Sequence, residues 1–246
     1  MKKFIYVTAC FLVWLSTAVS WAETTSTKEK DLAPIIKRAV QDLVEDNKAF
    51  AESKDDEHFQ EFQNVQNPRV TMVLCSDSRV HTHQFSKGAV NDVFTVRNIG
   101  NQFDTTPGSV MYGVDVLKTP VLIFIGHSDC GAIKAAMGDI STIPNPIQKE
   151  LKTLDLKKAP NDKEGVILNV HHQVDAALSS FKKKVDAGEL AIIGAVYDFR
   201  NDYGHGKGQL IIVNLNGEMK PQKIQDAHYF DHLQNVSIGT QMDNKL

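Results

Sequence analysis

The sequence predicts an α/β fold: a mostly parallel central β-sheet, four parallel strands plus an antiparallel edge strand, flanked by helices and preceded by an N-terminal helical arm. Three observations carry this. Residues 70–75, 92–97, 121–126, 191–197 and 209–214 are short apolar, β-branched runs with little polar alternation. Such runs are strands covered on both faces. Helical segments link the second strand to the third and the third to the fourth, and alternation of strand and helix implies a parallel sheet. Only the polar, glycine-bearing loop 201–208 separates the last two, so the fifth strand pairs antiparallel with the fourth.

The elements follow in chain order. Lys2 and Lys3 precede an apolar stretch at 4–22, which ends with the small residues Ser20 and Ala22. This is the pattern of a signal peptide over residues 1–22, cleaved to leave a single domain over 23–246, and it places the mature chain in a secreted or periplasmic compartment. An uncleaved membrane anchor and lipid attachment at Cys10 are the alternatives. Residues 23–31 read as a leader. Leu32, Ile35, Ile36, Ala39, Val40, Leu43 and Val44 have helical spacing, and the polar residues after Ser53 divide 32–62 into two helices. Helices are expected at 108–117, 131–137, 146–156 and 164–184. His171 and His172 fall on the last of these and are expected to be partly exposed. Lys182 to Lys184 read as its solvated end.

The 246 residues include 27 basic and 30 acidic ones, a formal net charge of −3. Loss of Lys2 and Lys3 with the signal peptide takes this to −5. No basic stripe marks a nucleic-acid surface. After cleavage no membrane partner is expected. The remaining length can bury one core.

The chemistry lies in two strings. Cys75, Asp77 and Arg79 follow the first strand, and His127 and Cys130 follow the third. Both strings therefore stand at carboxyl ends of parallel strands, where open α/β sheets bind ligands. Two thiolates and an imidazole select zinc over magnesium or calcium. Three protein ligands with one open position are the catalytic arrangement. Asp77 is placed to accept a hydrogen bond from a water there, and Arg79 to keep Asp77 ionised. The rival is a non-enzymatic secreted module with a Cys75–Cys130 disulfide, the ordinary reading of two cysteines in an exported chain.

These strings make the chain resemble the β-class carbonic anhydrases, over roughly residues 32–214. The Cys-x-Asp-x-Arg string stands at Cys75, Asp77 and Arg79, and Gly-His-x-x-Cys-Gly at Gly126, His127, Cys130 and Gly131. Arg97, Asn98 and Asn101 match a third string, and Ser109 with Tyr112 a fourth. The resemblance implies one Zn2+ per chain and reversible hydration of carbon dioxide to bicarbonate and a proton by zinc-bound hydroxide. It implies substrate contacts from Gln66, Phe94 and Tyr112, a plant-type pocket. It also implies that Asp77 can become a fourth metal ligand in a closed state. A subgroup with an inhibitory bicarbonate site has Trp where Met72 stands here. The expected assembly is a homodimer or a multiple of dimers, with the 32–62 helices wrapping a neighbour. Carbon disulfide and carbonyl sulfide hydrolases share the ligand set and are the alternative on this fold. His81 and His83 replace a proline-containing stretch, and read either as proton relays or as loop histidines without a role.

Overall fold

A computed structural model describes residues 31–233 and 236–239. The expected cleavage site after Ala22 and Cys10 lie outside these residues. The chain divides into two compact units, up to His58 and from Phe59 onward. The first contains α1 (Ala33–Glu52), whose apolar residues stay on the surface, Leu43 and Val44 being 72% and 66% exposed. A break at residues 53–55 precedes α2 (Asp56–Gln60), as the polar segment there predicts. No described helix is long and apolar enough to cross a membrane.

The second unit is built on five strands: β1 (Val70–Cys75), β2 (Val93–Asn98), β3 (Val121–His127), β4 (Ala191–Asp198) and β5 (Gln209–Leu215). Their order is β2-β1-β3-β4-β5, parallel throughout except for the antiparallel β4–β5 pair. The helices are α3 (Pro107–Met111), α4 (Gly131–Met137), α5 (Asn145–Leu151), α6 (Asp162–Asp186) and α7 (Pro221–Gln225). The expected helix at 146–156 stops at Leu151; Leu154 and Leu156 are buried from irregular chain, so their apolar spacing reflects core contact and not a helical face. Asn161 caps α6 by accepting from the Glu164 amide at 3.0 Å, which starts the helix before residue 164. Lysines at its far end complement the dipole.

Both faces of the sheet are covered. Val73, Phe124 and Ile192 pack with Val174 and Phe181 of α6. On the other face Leu74, Ile125 and Ile212 pack with Ile224 of α7. Helix α6 lies so close to β4 that a Cβ on Gly194 would stand 2.6 Å from Val170. His171 departs from expectation. It is 8% exposed, inside the fold, and its Nδ1 lies 3.1 Å from the Asn214 amide. Burial holds its pKa down at about 4, so it is neutral at physiological pH.

Beyond α3 the chain makes one π-helical turn, Tyr112–Val116. Gly113 is required there. An added Cβ would meet Thr71 Oγ1 at 2.1 Å and Phe94 at 3.0 Å. Thr71 is fully buried and shares a 2.7 Å hydrogen bond with Thr119, so it cannot turn aside. Gly113→Ala should therefore cost about 2–3 kcal/mol by overpacking. At about 2–4 °C per kcal/mol for a domain of this size, a thermal melt should fall by roughly 4–12 °C. An unchanged melting temperature would show that the turn can relax.

Candidate metal centre

Strand order reverses at β1: β2 lies on one side and β3 on the other. This switch point opens a crevice at the carboxyl ends of β1 and β3. Cys75 is the last residue of β1 and His127 the last of β3. Cys130 immediately precedes α4. Asp129 before it has φ +58°, the left-handed turn that an aspartate tolerates, and brings the chain back toward the sheet.

The donor atoms of Cys75, His127 and Cys130 lie within 4.8 Å of one another, all three residues buried. Both cysteines are free thiols. His127 Nδ1 is 3.0 Å from the Ser128 carbonyl oxygen. A carbonyl only accepts, so Nδ1 carries the proton and Nε2 keeps its lone pair. That Nε2 is buried and has no hydrogen-bond partner among the described residues. Leaving it so is costly unless something binds there. The thiols give the same indication. A hydrogen bond from Cys130 holds Cys75 down at about 4. The interaction with Cys75 and then burial push Cys130 far up. Two adjacent buried thiolates repel each other and lack solvation, so both are held ionised together only beside a cation. Soft donors, an orphaned imidazole and a buried charge to be offset fit a zinc ion.

The open side is occupied by a carboxylate and its clamp. Arg79 donates to both Asp77 oxygens, Nε to Oδ1 at 2.9 Å and Nη2 to Oδ2 at 2.7 Å, and its amide donates to Oδ1 at 2.9 Å. These bonds, the Arg79 side chain first, lower the Asp77 pKa to about 2. Since this lies below the ordinary carboxyl value of about 3.9, ionised Asp77 stabilises the fold fully above that pH and loses its contribution as pH falls toward 2. Asp77 Oδ2 stands 3.9 Å from His127 Nε2, beside the donor cluster but beyond hydrogen-bonding distance.

Arg97 and Asn98 of the third string support the cluster, together with residues that no string marked. Arg97 donates to the carbonyls of Cys75 and Asp77 at 2.9 and 2.8 Å, fixing the chain as it leaves β1. The Gly100 amide points at Cys75 Sγ, 3.5 Å away, and Asn169 holds the Gly100 carbonyl at 2.9 Å. Asn98 bonds Gln102 through both ends of its amide, closing that loop. Asp129 gathers Lys134, Arg79 at 2.9 Å and Arg200 at 2.8 Å, which hold its carboxyl well below the usual range, Lys134 most strongly. The Phe199 ring lies 4.8 Å from the Arg79 guanidinium carbon and 6.1 Å from the His127 ring. The sequence signal for Asp129 was its place inside the His-x-x-Cys string. For Phe199 it was its place just past β4, at the same sheet edge.

The expected substrate residues lie elsewhere. Phe94 pairs in register with Thr71, four strand positions before Cys75, roughly 13 Å at 3.3 Å per residue. Tyr112 packs on Phe94 at 5.8 Å between ring centroids. Gln66 is exposed and lines a cavity of about 170 Å³ with Phe62, Pro68, Asn91 and Val93. His81 and His83 stack on each other at 5.7 Å. His81 uses both ring nitrogens, Nε2 toward the Ser78 carbonyl at 3.0 Å and Nδ1 toward Arg97 at 3.4 Å.

The profile of the carbonic anhydrase family matches residues 70–205, more than half of the chain and the whole span of the donor cluster. The chain belongs to the β-class carbonic anhydrases. Carbonic anhydrase 2 of Mycobacterium tuberculosis is 30% identical over 149 residues, covering 54% of this chain and 70% of that protein. Tetrameric β-carbonic anhydrases of Sordaria macrospora superpose with a TM-score of 0.56 at 26% identity, over 65% of this chain and 92% of theirs. The β-carbonic anhydrase CcaA shares the fold, with a TM-score of 0.61 at 21% identity over 73% and 95%. This carbonic anhydrase is therefore an enzyme of the lyase class, and the non-enzymatic disulfide module is set aside. Its three-donor cluster is able to hold a metal.

Proposed function

We propose that this enzyme hydrates carbon dioxide reversibly to bicarbonate and a proton with one zinc ion per chain, held by Cys75, His127 and Cys130. The observation that carries the reading is the doubly bonded Arg79–Asp77 pair beside an unpartnered His127 Nε2. Zinc bound there would act as a Lewis acid that makes a water acidic enough to serve as the nucleophile near neutral pH.

The chain's own groups account for direction and selectivity. An ionised Asp77 only accepts hydrogen bonds, so the nucleophile's proton turns to it and a lone pair is left toward the substrate. Arg79 keeps Asp77 ionised and occupies both its oxygens, which draws the carboxylate away from the metal. Loss of that pairing would free Asp77 to become a fourth ligand.

Phe94 stands too far from Cys75 along the sheet to act on its metal; Tyr112 packs on Phe94, and Gln66 shares a cavity with Val93 beside it. We assign them to the metal centre of a second copy, in a homodimer or a multiple of dimers, with Phe94 and Tyr112 as the apolar wall and Gln66 as a donor to a substrate oxygen. The tetrameric relatives of Sordaria macrospora support such an assembly. Gln66→Ala should keep its zinc and lose about 1–2 kcal/mol of transition-state stabilisation, the worth of one hydrogen bond. That is roughly five- to thirtyfold in kcat/KM. An unchanged kcat/KM in a zinc-loaded variant would remove Gln66 from the pocket.

Stopped-flow carbon dioxide hydration before and after chelation tests the whole reading. Hydration that disappears with the metal and returns with added zinc supports it. Hydration indifferent to chelation, or turnover of carbon disulfide without carbon dioxide hydration, refutes it.

A further inference from the structure

We propose that Phe199 is a positioning residue of the metal centre, its ring setting the Arg79 guanidinium and the His127 imidazole relative to each other. The inference rests on the role assigned above to the Arg79–Asp77 pair. Phe199 is the first residue beyond β4, and His127 pairs in register with Tyr197, two residues earlier. The position therefore projects at the sheet edge that carries the donor cluster. Its ring and the His127 imidazole are close to parallel, 23° between planes, with centroids 6.1 Å apart. Arg79 Cζ lies 4.8 Å from the ring centroid, inside the range of a cation–π contact.

The other restraints on Arg79 show why a ring is needed. Arg79 is 45% exposed, and a long exposed side chain loses considerable rotamer entropy when held in one geometry. Its second carboxylate, Asp129, meets Arg79 through Oδ2 while Lys134 and Arg200 hold Oδ1, so three cations compete for the charge of one carboxylate. An aromatic face is not subject to that competition, and it fits the planar guanidinium better than it would a point charge. Phe199 is itself braced: Tyr197 packs against it at 5.8 Å, and Phe85 meets Tyr197 edge-on at 5.2 Å. The ring lies against the imidazole of one donor residue and against the guanidinium of the clamp, so its part is to hold the two in place. A ligand's orienting partners commonly govern metal affinity and activity by about 10- to 100-fold.

The test compares Phe199→Leu, Phe199→Tyr, Arg79→Ala and the Phe199→Leu/Arg79→Ala double variant. Each preparation is assayed for melting temperature, for zinc affinity by competition with a chromophoric chelator, and for kcat/KM per bound zinc. Phe199→Leu keeps apolar volume and loses the ring. It should lower kcat/KM about tenfold and weaken zinc binding severalfold, while Phe199→Tyr stays within about twofold of the parent in both. In the Arg79→Ala background, Phe199→Leu should add less than about a twofold loss of kcat/KM, because the group it holds is gone. A purely structural role would instead lower the melting temperature of Phe199→Leu and leave kcat/KM and zinc affinity alone. Parent-like kcat/KM in Phe199→Leu, an equal loss in Phe199→Tyr, or full additivity with Arg79→Ala would each overturn the proposal. Parent-like turnover in Arg79→Ala would overturn the Arg79–Asp77 reading beneath it. A loss in Arg79→Ala with none in Phe199→Leu would overturn this inference alone.

Discussion

Cys75→Ser should yield a folded protein without stoichiometric zinc and with carbon dioxide hydration at background. The serine hydroxyl fits the space but does not ionise near neutral pH, whereas the thiolate is the form that binds metal. Cys75 Sγ is buried beside Cys130 and His127 and faces the Gly100 amide at 3.5 Å, an environment that favours a thiolate once a cation is present. Its loss leaves Cys130 and His127, a two-donor site, and His127 Nε2 returns to an unsatisfied buried position. Structural zinc sites contribute strongly to folding, but here two of the three buried clusters, around Val73 and Phe124 and around Leu74 and Ile125, contain none of the donors, so a clear melting transition should survive. Metal analysis, circular dichroism and stopped-flow hydration on one preparation decide the matter. Full zinc content with parental turnover would remove Cys75 from the ligand set.

Asp77→Asn should keep zinc and lose at least about 100-fold in kcat/KM, equivalent to about 2.7 kcal/mol of transition-state stabilisation. The substitution preserves size and removes the property on which the role depends. A carboxylate presents acceptors only, while an amide can present its NH2 and turn the nucleophile's lone pair away from the substrate. It also breaks the charged pairing with Arg79, whose two donors now face Asp77 at 2.9 and 2.7 Å. Arg79→Ala should lose a comparable amount by the reciprocal route, because freed Asp77 stands only 3.9 Å from His127 Nε2 and would be drawn toward the cation. If the pair merely stabilised a turn, both variants would melt earlier yet turn over normally per folded molecule. Near-normal turnover in Asp77→Asn would therefore end the orienting role.

What was legible in the sequence follows a physical division. Strands buried on both faces declare themselves by composition, and β1 and α4 have the bounds that their apolar runs predict. The donor set was legible because each donor terminates or follows an apolar strand, so one topological rule brings 75, 127 and 130 together. Contacts made across elements were not legible. Phe199 reaches His127 only through the β3–β4 register. His171 looked like a surface histidine on an amphipathic helix, but α6 is buried deeply enough for Asn214 to meet it. The distance of Phe94 from Cys75 follows from its register with Thr71, which residue type does not mark.

The two sides of the sheet end differently. Along the outer side of β5, the Ile212 amide donates to the Ser237 carbonyl and the Gly239 amide to the Ile212 carbonyl, both at 2.9 Å, so the chain's own C-terminal stretch finishes that rim. Along β2, no further strand pairs with the outer side among the described residues. Two open rims would let the same contact repeat without limit, the route to fibres. Residues 237–239 occupy the outer backbone groups of Ile212 in the middle of β5, and a further strand could add there only by displacing them.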